Sequence, residues 1–175
     1  MYAGSLVKLR AQEPGDAELY HQWIHDPEVF EHITLRYPMS LAAEREWVEK
    51  NGSPGYARAV FAVEALDTGK LIGAVELTVD EPEVRRAVLG ITLGDKSYWG
   101  RGYGTDTVRT VCQFGFDEMN LHRIHLKVTA PNERARATYR KVGFVEEGVA
   151  RDDWYRKGNY VDVVSMGLLR GELLD

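Results

Sequence analysis

The run Ser97-Tyr98-Trp99-Gly100-Arg101-Gly102-Tyr103-Gly104-Thr105-Asp106 constrains this chain more than any other segment. It lies between an apolar, strand-like stretch, Ala87 to Leu93, and an amphipathic, helix-like stretch, Thr105 to Met119. A strand, a glycine-rich turn and a helix start together make an anion site. The first helical N–H groups have no intrahelical acceptor, and the helix dipole adds partial positive charge at that end. Glycine carries no Cβ to hold a phosphate away from those N–H groups. The segment points to a phosphorylated ligand; taken alone, it is equally a plain glycine-rich turn before a helix.

Two common phosphate loops do not fit. A Walker A loop needs Gly-Lys-Ser/Thr after its spacer, and none is present. A dinucleotide fingerprint needs a third glycine where Thr105 stands, and it belongs near the start of a βαβ unit. A second segment is more decisive. Asn132-Glu133-Arg134-Ala135-Arg136-Ala137-Thr138-Tyr139-Arg140-Lys141-Val142-Gly143-Phe144 follows a second apolar strand, Ile124 to Val128.

Together the two segments resemble the GNAT superfamily of N-acetyltransferases. Gly102 and Gly104 match its acetyl-coenzyme A loop, Q/R-x-x-G-x-G/A, while Trp99 stands where Gln or Arg is usual. Asn132, Ala135, Tyr139, Lys141, Gly143 and Phe144 match the pattern N-x-x-A/S-x-x-x-Y-x-K-x-G-F. The ending Trp154 to Asp162, with Met166 and Leu168, is similar to the branch of ribosomal-protein alanine and spermidine acetyltransferases. The resemblance runs from Leu6 to the end of the chain.

At 175 residues the chain is expected to form a single domain, 1–175, with a substantial core. It has no apolar run of membrane-span length and no basic-plus-apolar leader. The lone Cys112 cannot form an internal disulfide, which fits a reducing cytoplasm. The formal net charge of −5 comes with no basic stripe, against a nucleic-acid partner. An acidic balance suits a cationic, amine-bearing substrate. No metal-ligand cluster has useful spacing, so no metal is expected.

Element signals alternate along the chain. Leu6 to Arg10 reads as a strand and Asp16 to His25 as a helix ended by Pro27. Glu28 to Met39 reads as irregular, and Ser40 suits an N-cap for a helix from Leu41 to Lys50. Ala59 to Glu64 and Leu71 to Val79 read as strands joined by a turn at Asp67 to Lys70, and Arg86 to Leu93 as the next. Strand Arg123 to Val128, helix Glu133 to Val142 and late strands Phe144 to Arg151 and Tyr160 to Leu169 follow, with Asp152 to Tyr160 as a turn. This order predicts an α/β fold of the α+β mixed kind: a mixed sheet flanked by helices. The helix-linked strands Ala87–Leu93 and Arg123–Val128 should be parallel. The resemblance implies that this pair splays in a mostly antiparallel sheet and that the pantetheine arm lies in the gap.

Acetyl transfer to an amine needs a neutral nitrogen, donors for the oxyanion and a proton or hydrogen bond for the departing thiolate. Tyr139, at the family's tyrosine position, is the candidate thiolate partner; it also shares a helical face with Ala135 and Val142, as a core tyrosine would. Glu76, mid-strand, is the candidate base if burial raises its pKa, or a solvent-facing residue if it does not. The resemblance assigns acetyl-CoA, as co-substrate, to the backbones of Ile91, Thr92 and Leu93. It adds the loop Trp99, Gly100, Arg101, Gly102, Tyr103, Gly104 and Thr105, and Asn132, Ala135 and Lys141 on the next helix. Asn132 is equally a helix N-cap, and Arg134, Arg136 and Arg140 read as solvated surface charge. His122, His125 and Asp95 read as structural and Cys112 as core.

The expected activity is acetyl-CoA-dependent transfer to a primary amine, either a protein N-terminus, a polyamine or another small amine. A non-catalytic acyl-CoA-binding or sensor module with the same fold is the alternative from another class. Glu28, Glu31, Asp152 and Asp153 could attract a cationic acceptor. A homodimer is a family-level expectation.

Overall fold

A computed structural model describes residues 2–33 and 35–174. Eight strands and five α-helices alternate in the order β1 (Tyr2–Ala3), β2 (Val7–Arg10), α1 (Ala17–Ile24), α2 (Pro27–Phe30), α3 (Leu41–Asn51), β3 (Arg58–Ala65), β4 (Leu71–Glu81), β5 (Arg86–Leu93), α4 (Tyr103–Asp117), β6 (Arg123–Thr129), α5 (Glu133–Val142), β7 (Val145–Arg156) and β8 (Asn159–Leu169). One sheet runs β1-β2-β3-β4-β5-β6-β8-β7. Every pairing is antiparallel except β5–β6, the helix-linked pair expected to be parallel.

That parallel pairing is short. It joins Arg86 to Arg123, Ala87 to Ile124 and Val88 to His125, and then stops. Beyond it, β5 stays on β4 through Leu93, while β6 stays on β8 through Thr129. The sheet opens into a V, as the resemblance implied. From Gly90 to Leu93, β5 has no strand neighbour on the β6 side.

The core forms where α4 crosses this sheet. Val108, Val111, Cys112 and Phe116 recur at helical spacing and are buried against Leu77, Leu89, Leu121 and Ile124. Full burial of each such aliphatic side chain is worth about 1.5–3 kcal/mol. Asp106 on the same helix is buried by design rather than by packing. Its carboxylate accepts the backbone N–H groups of Ser5 (3.1 Å), Leu6 (2.7 Å) and Val7 (3.0 Å), which ties the chain entering β2 to the start of α4. A smaller core, Ala17, Tyr20 and Val48, joins α1 to α3.

Three boundaries differ from the sequence reading. Helix α4 begins at Tyr103, two residues early, because Gly102 at φ +90° takes the left-handed N-cap. The segment read as irregular opens with one helical turn, α2, capped by Asp26, whose Oδ1 accepts Glu28 N–H at 2.9 Å. The supposed turn Asp152 to Tyr160 is instead mostly strand. β7 continues through a bulge at Asp152 to Arg156, and only Lys157-Gly158, both at positive φ, make the turn. Cross-strand pairing of Tyr155 with Tyr160 and Trp154 with Val161 outweighs the turn-forming polar residues.

Candidate active site

The opened V holds a cleft of two lobes. Both are lined by His32, Ile33, Ile91, Thr92, Asn132 and Tyr139, so those residues stand where the lobes meet. One lobe, about 320 Å³, runs to the glycine loop; the other, about 480 Å³, runs to Glu76, Trp47 and Trp154.

The loop lobe is built from backbone. Gly100 (φ +71°) and Gly102 (φ +90°) adopt left-handed conformations that bend the loop under the start of α4. The first-turn N–H groups of α4 have no intrahelical acceptor, and the helix dipole reinforces them. Gly104, Thr105, Ala135 and Lys141 also line this lobe. Two predicted contributors do not. Tyr103 is buried away from it, donating its hydroxyl to Asp67 at 2.9 Å and packing edge-on against Tyr98 at 4.8 Å. Arg101 lies 5.6 Å over both those rings and donates to Ser97 O. Apolar packing drew Tyr103 inward, and its rings drew Arg101 with it.

Trp99 fills the position where Gln or Arg was expected. Its indole N–H donates to Leu93 O at 2.8 Å, and Arg134 stacks over its ring at 3.9 Å. Arg134 was read as surface charge, yet it lines the loop lobe. Arg140 keeps that reading, while Arg136, its side chain 19% exposed, is held by Glu133, Glu146 and Ala130 O. Asn132 serves as the α5 N-cap, its Oδ1 accepting Ala135 N–H at 3.2 Å, and it still faces both lobes.

Tyr139 packs its ring near Phe144 and is 9% exposed. Burial pushes its phenol up to about 12, so the hydroxyl is a donor at neutral pH. That hydroxyl makes no hydrogen bond among the described residues. Tyr139 thus packs as a core tyrosine would and still lines the cleft.

Glu76 lines the second lobe, but not as the isolated buried acid expected of a base. Its Oε2 accepts from Arg58 Nε at 3.0 Å, and its side chain is about a third exposed. Its Oε1 lies beside Gly90, where an added Cβ would come within 3.1 Å. Cys112 is buried in the core, and burial raises its thiol, which fits packing rather than nucleophilic work. Glu28 does not line the cleft and is held by Lys96.

Three residues of the second lobe carried no local signal in the sequence: His32, Trp47 and Arg36. Partial burial, then the nearby Arg134, lowers the His32 imidazole below its usual value. Arg156 at the end of β7 fixes the segment holding His32. Its Nη1 donates to the carbonyls of Phe30, Glu31 and Ile33 at 2.7–3.0 Å, and Nη2 to Leu35 O at 2.6 Å.

The site fits a phosphorylated thioester carrier: anion-binding N–H groups at the loop, an unpaired strand edge at Ile91 and Thr92, and a free tyrosine hydroxyl at the lobe junction. No helix is long and apolar enough to cross a membrane among the described residues.

Comparison with known proteins agrees. An acetyltransferase (GNAT) domain model matches residues 7–145. The putative ribosomal N-acetyltransferase YdaF of Bacillus subtilis is 30% identical over 171 residues, covering 95% of this chain and 92% of that one. An uncharacterized N-acetyltransferase, p20, of Bacillus licheniformis is 29% identical over 169 residues, covering 95% and 94%. The crystal structure of spermidine N-acetyltransferase from Vibrio cholerae in complex with CoA and spermine superposes with a TM-score of 0.85 at 28% identity, covering 95% of this chain and 96% of that one. With its V-shaped sheet, its glycine loop and these relatives along nearly its whole length, the chain belongs to the acetyltransferase (GNAT) family and is an N-acetyltransferase.

Proposed function

We propose that this enzyme moves acetyl directly from acetyl-CoA to a primary amine, with Tyr139 and Glu76 as its proton-handling groups. The observation that carries this reading is the position of Tyr139 and Asn132, which alone with four neighbours line both lobes of the cleft. Acetyl-CoA supplies the activated acyl group. The α4 N-terminus and the backbones of Gly100, Gly102, Gly104 and Thr105 hold its phosphates, with Lys141 and Arg134 adding positive charge. The free edge at Ile91 and Thr92 orients its arm as an added strand would.

Glu76 Oε2 is occupied by Arg58, which leaves Oε1 to receive the acceptor ammonium and take its proton. Tyr139 Oη keeps its proton at neutral pH and donates it to the departing sulfur. A cytoplasmic setting is supported by the free thiol of Cys112. A homodimer is supported by the long outer edge of β7, where Val145 and Val149 are exposed.

Free thiol release from acetyl-CoA with a panel of amines and peptide N-termini tests the reading. Tyr139→Phe should lower kcat about 100-fold or more while leaving acetyl-CoA binding intact. Equal loss of binding and turnover would make Tyr139 a packing residue only.

A further inference from the structure

The charges of the acceptor lobe form a pattern of their own. Its carboxylates are Glu31, Glu76 and Asp153, and each faces a cation: Lys157 at 3.6 Å, Arg58, and Lys127 at 3.6 Å. Arg36 is the exception. Among the described residues it makes no ion pair, and its guanidinium lies 4.7 Å over the ring of Trp154. The His32 imidazole is lowered by partial burial and by the nearby Arg134 and Arg156, which disfavours its charged form. Among the described residues, Arg36 is thus the one charged side chain lining this lobe that has no ion-pair partner.

A polycation would find each of these carboxylates already facing a cation. The walls say more. Trp47 and Trp154 both line the lobe, and Trp47 is itself covered by Arg58 at 5.6 Å. Two indoles offer flat apolar faces to an acceptor body. A guanidinium parked on an indole retains its planar fork of donors, the geometry that matches a carboxylate.

We propose that the natural acceptor is a primary amine that also bears a carboxylate, its apolar or aromatic body lying along Trp47 and Trp154 and its carboxylate on Arg36. This rests on the reading of the cleft as an N-acetyltransferase site. The amine end sits at Glu76 and Tyr139. There the nitrogen bonds to the acyl carbon, the carbon–sulfur bond breaks, and amide and free thiol form. The ammonium gives one proton to Glu76, the sulfur takes one from Tyr139, and the second proton that the nitrogen sheds as the amide forms returns to Tyr139. Both a small amino acid-like molecule and a peptide N-terminus followed by an acidic residue carry this chemistry.

The test compares matched acceptors at saturating acetyl-CoA. One pair is para-(aminomethyl)phenylacetate and its primary amide; the other is Ala-Phe-Asp-amide and Ala-Phe-Asn-amide; spermidine is the fifth. Each carboxylate should exceed its amide about tenfold or more in kcat/KM, the scale of a lost charge-assisted hydrogen bond. Arg36→Gln should erase that preference without changing acetyl-CoA affinity. A larger preference within the aryl pair identifies a small molecule, and within the peptide pair a peptide end. Equal use of both members of each pair, or spermidine as the best acceptor, overturns the proposal and leaves the transferase reading standing. Saturable acetyl-CoA binding with no turnover of any acceptor overturns both.

Discussion

The indole N–H of Trp99 donates to the carbonyl oxygen of Leu93 at 2.8 Å, which fastens the glycine loop to the end of β5. Arg134 then covers the same ring from α5 at 3.9 Å. One side chain therefore links the strand, the loop and the helix that form the loop lobe. Trp99→Phe keeps a ring for Arg134 but removes the N–H. It should cost about 1 kcal/mol of stability by urea denaturation and weaken acetyl-CoA binding severalfold by calorimetry. An unchanged dissociation constant would leave Trp99 with a purely structural role.

Asp106 satisfies three backbone donors with one buried carboxylate. Asp106→Ala strands all three N–H groups in a dry site, and a loss of about 3–5 kcal/mol is expected. Asp106→Asn retains one accepting oxygen and should fall between the two. Equilibrium unfolding of the three proteins checks the order.

Arg156 organises the segment that carries His32 and Arg36 by engaging four of its carbonyls and stacking on Phe30 at 4.5 Å. Lysine has the charge but not the planar fork. Arg156→Lys should therefore raise the acceptor KM about tenfold, with a smaller effect on acetyl-CoA affinity. Limited proteolysis should cut the segment faster in the variant. Equal KM values in both proteins would show that the segment holds its shape without the clamp.

Alkaline pH should destabilise the fold in two stages. Burial raises the Cys112 thiol and pushes the Tyr139 phenol up to about 12. A raised acid pKa means that the unfolded chain releases its proton first. Stability is full below the unfolded value and falls as pH climbs toward the folded one. Cys112 opens this window at its ordinary value of 9.0, and Tyr139 joins at 10.0. Each group steepens the fall by about 1.4 kcal/mol per pH unit. Urea midpoints measured from pH 8 to pH 11 should show it, and Cys112→Ala should delay its onset. Tyr139 stays a donor across this range, so a basic limb in kcat below pH 10 must come from another group.

The local parts of the site were legible in the sequence because short-range physics fixes them. Ser40 caps α3, and Asn132 and Gly143 cap α5, where backbone geometry depends on neighbours within a turn. The apolar spacing of α4 named the face that meets the sheet. The splayed β5–β6 pair came from the resemblance, and the structure shows it.

Other features had no local signature. Arg101 and Arg134 look alike as isolated basic residues, yet one stacks on Tyr98 and Tyr103 without lining the cleft and the other lines it over Trp99. Glu76 reads as a strand carboxylate; only the β3–β4 register puts it within reach of Arg58. Arg156 and the segment it clamps are more than a hundred residues apart. The sequence by itself determined the loop, the caps of α3 and α5 and the family, since each is written in contiguous residues. Tertiary structure alone decided which charges of the cleft are paired and which are not, because ion pairs form between side chains that only the folded sheet brings together.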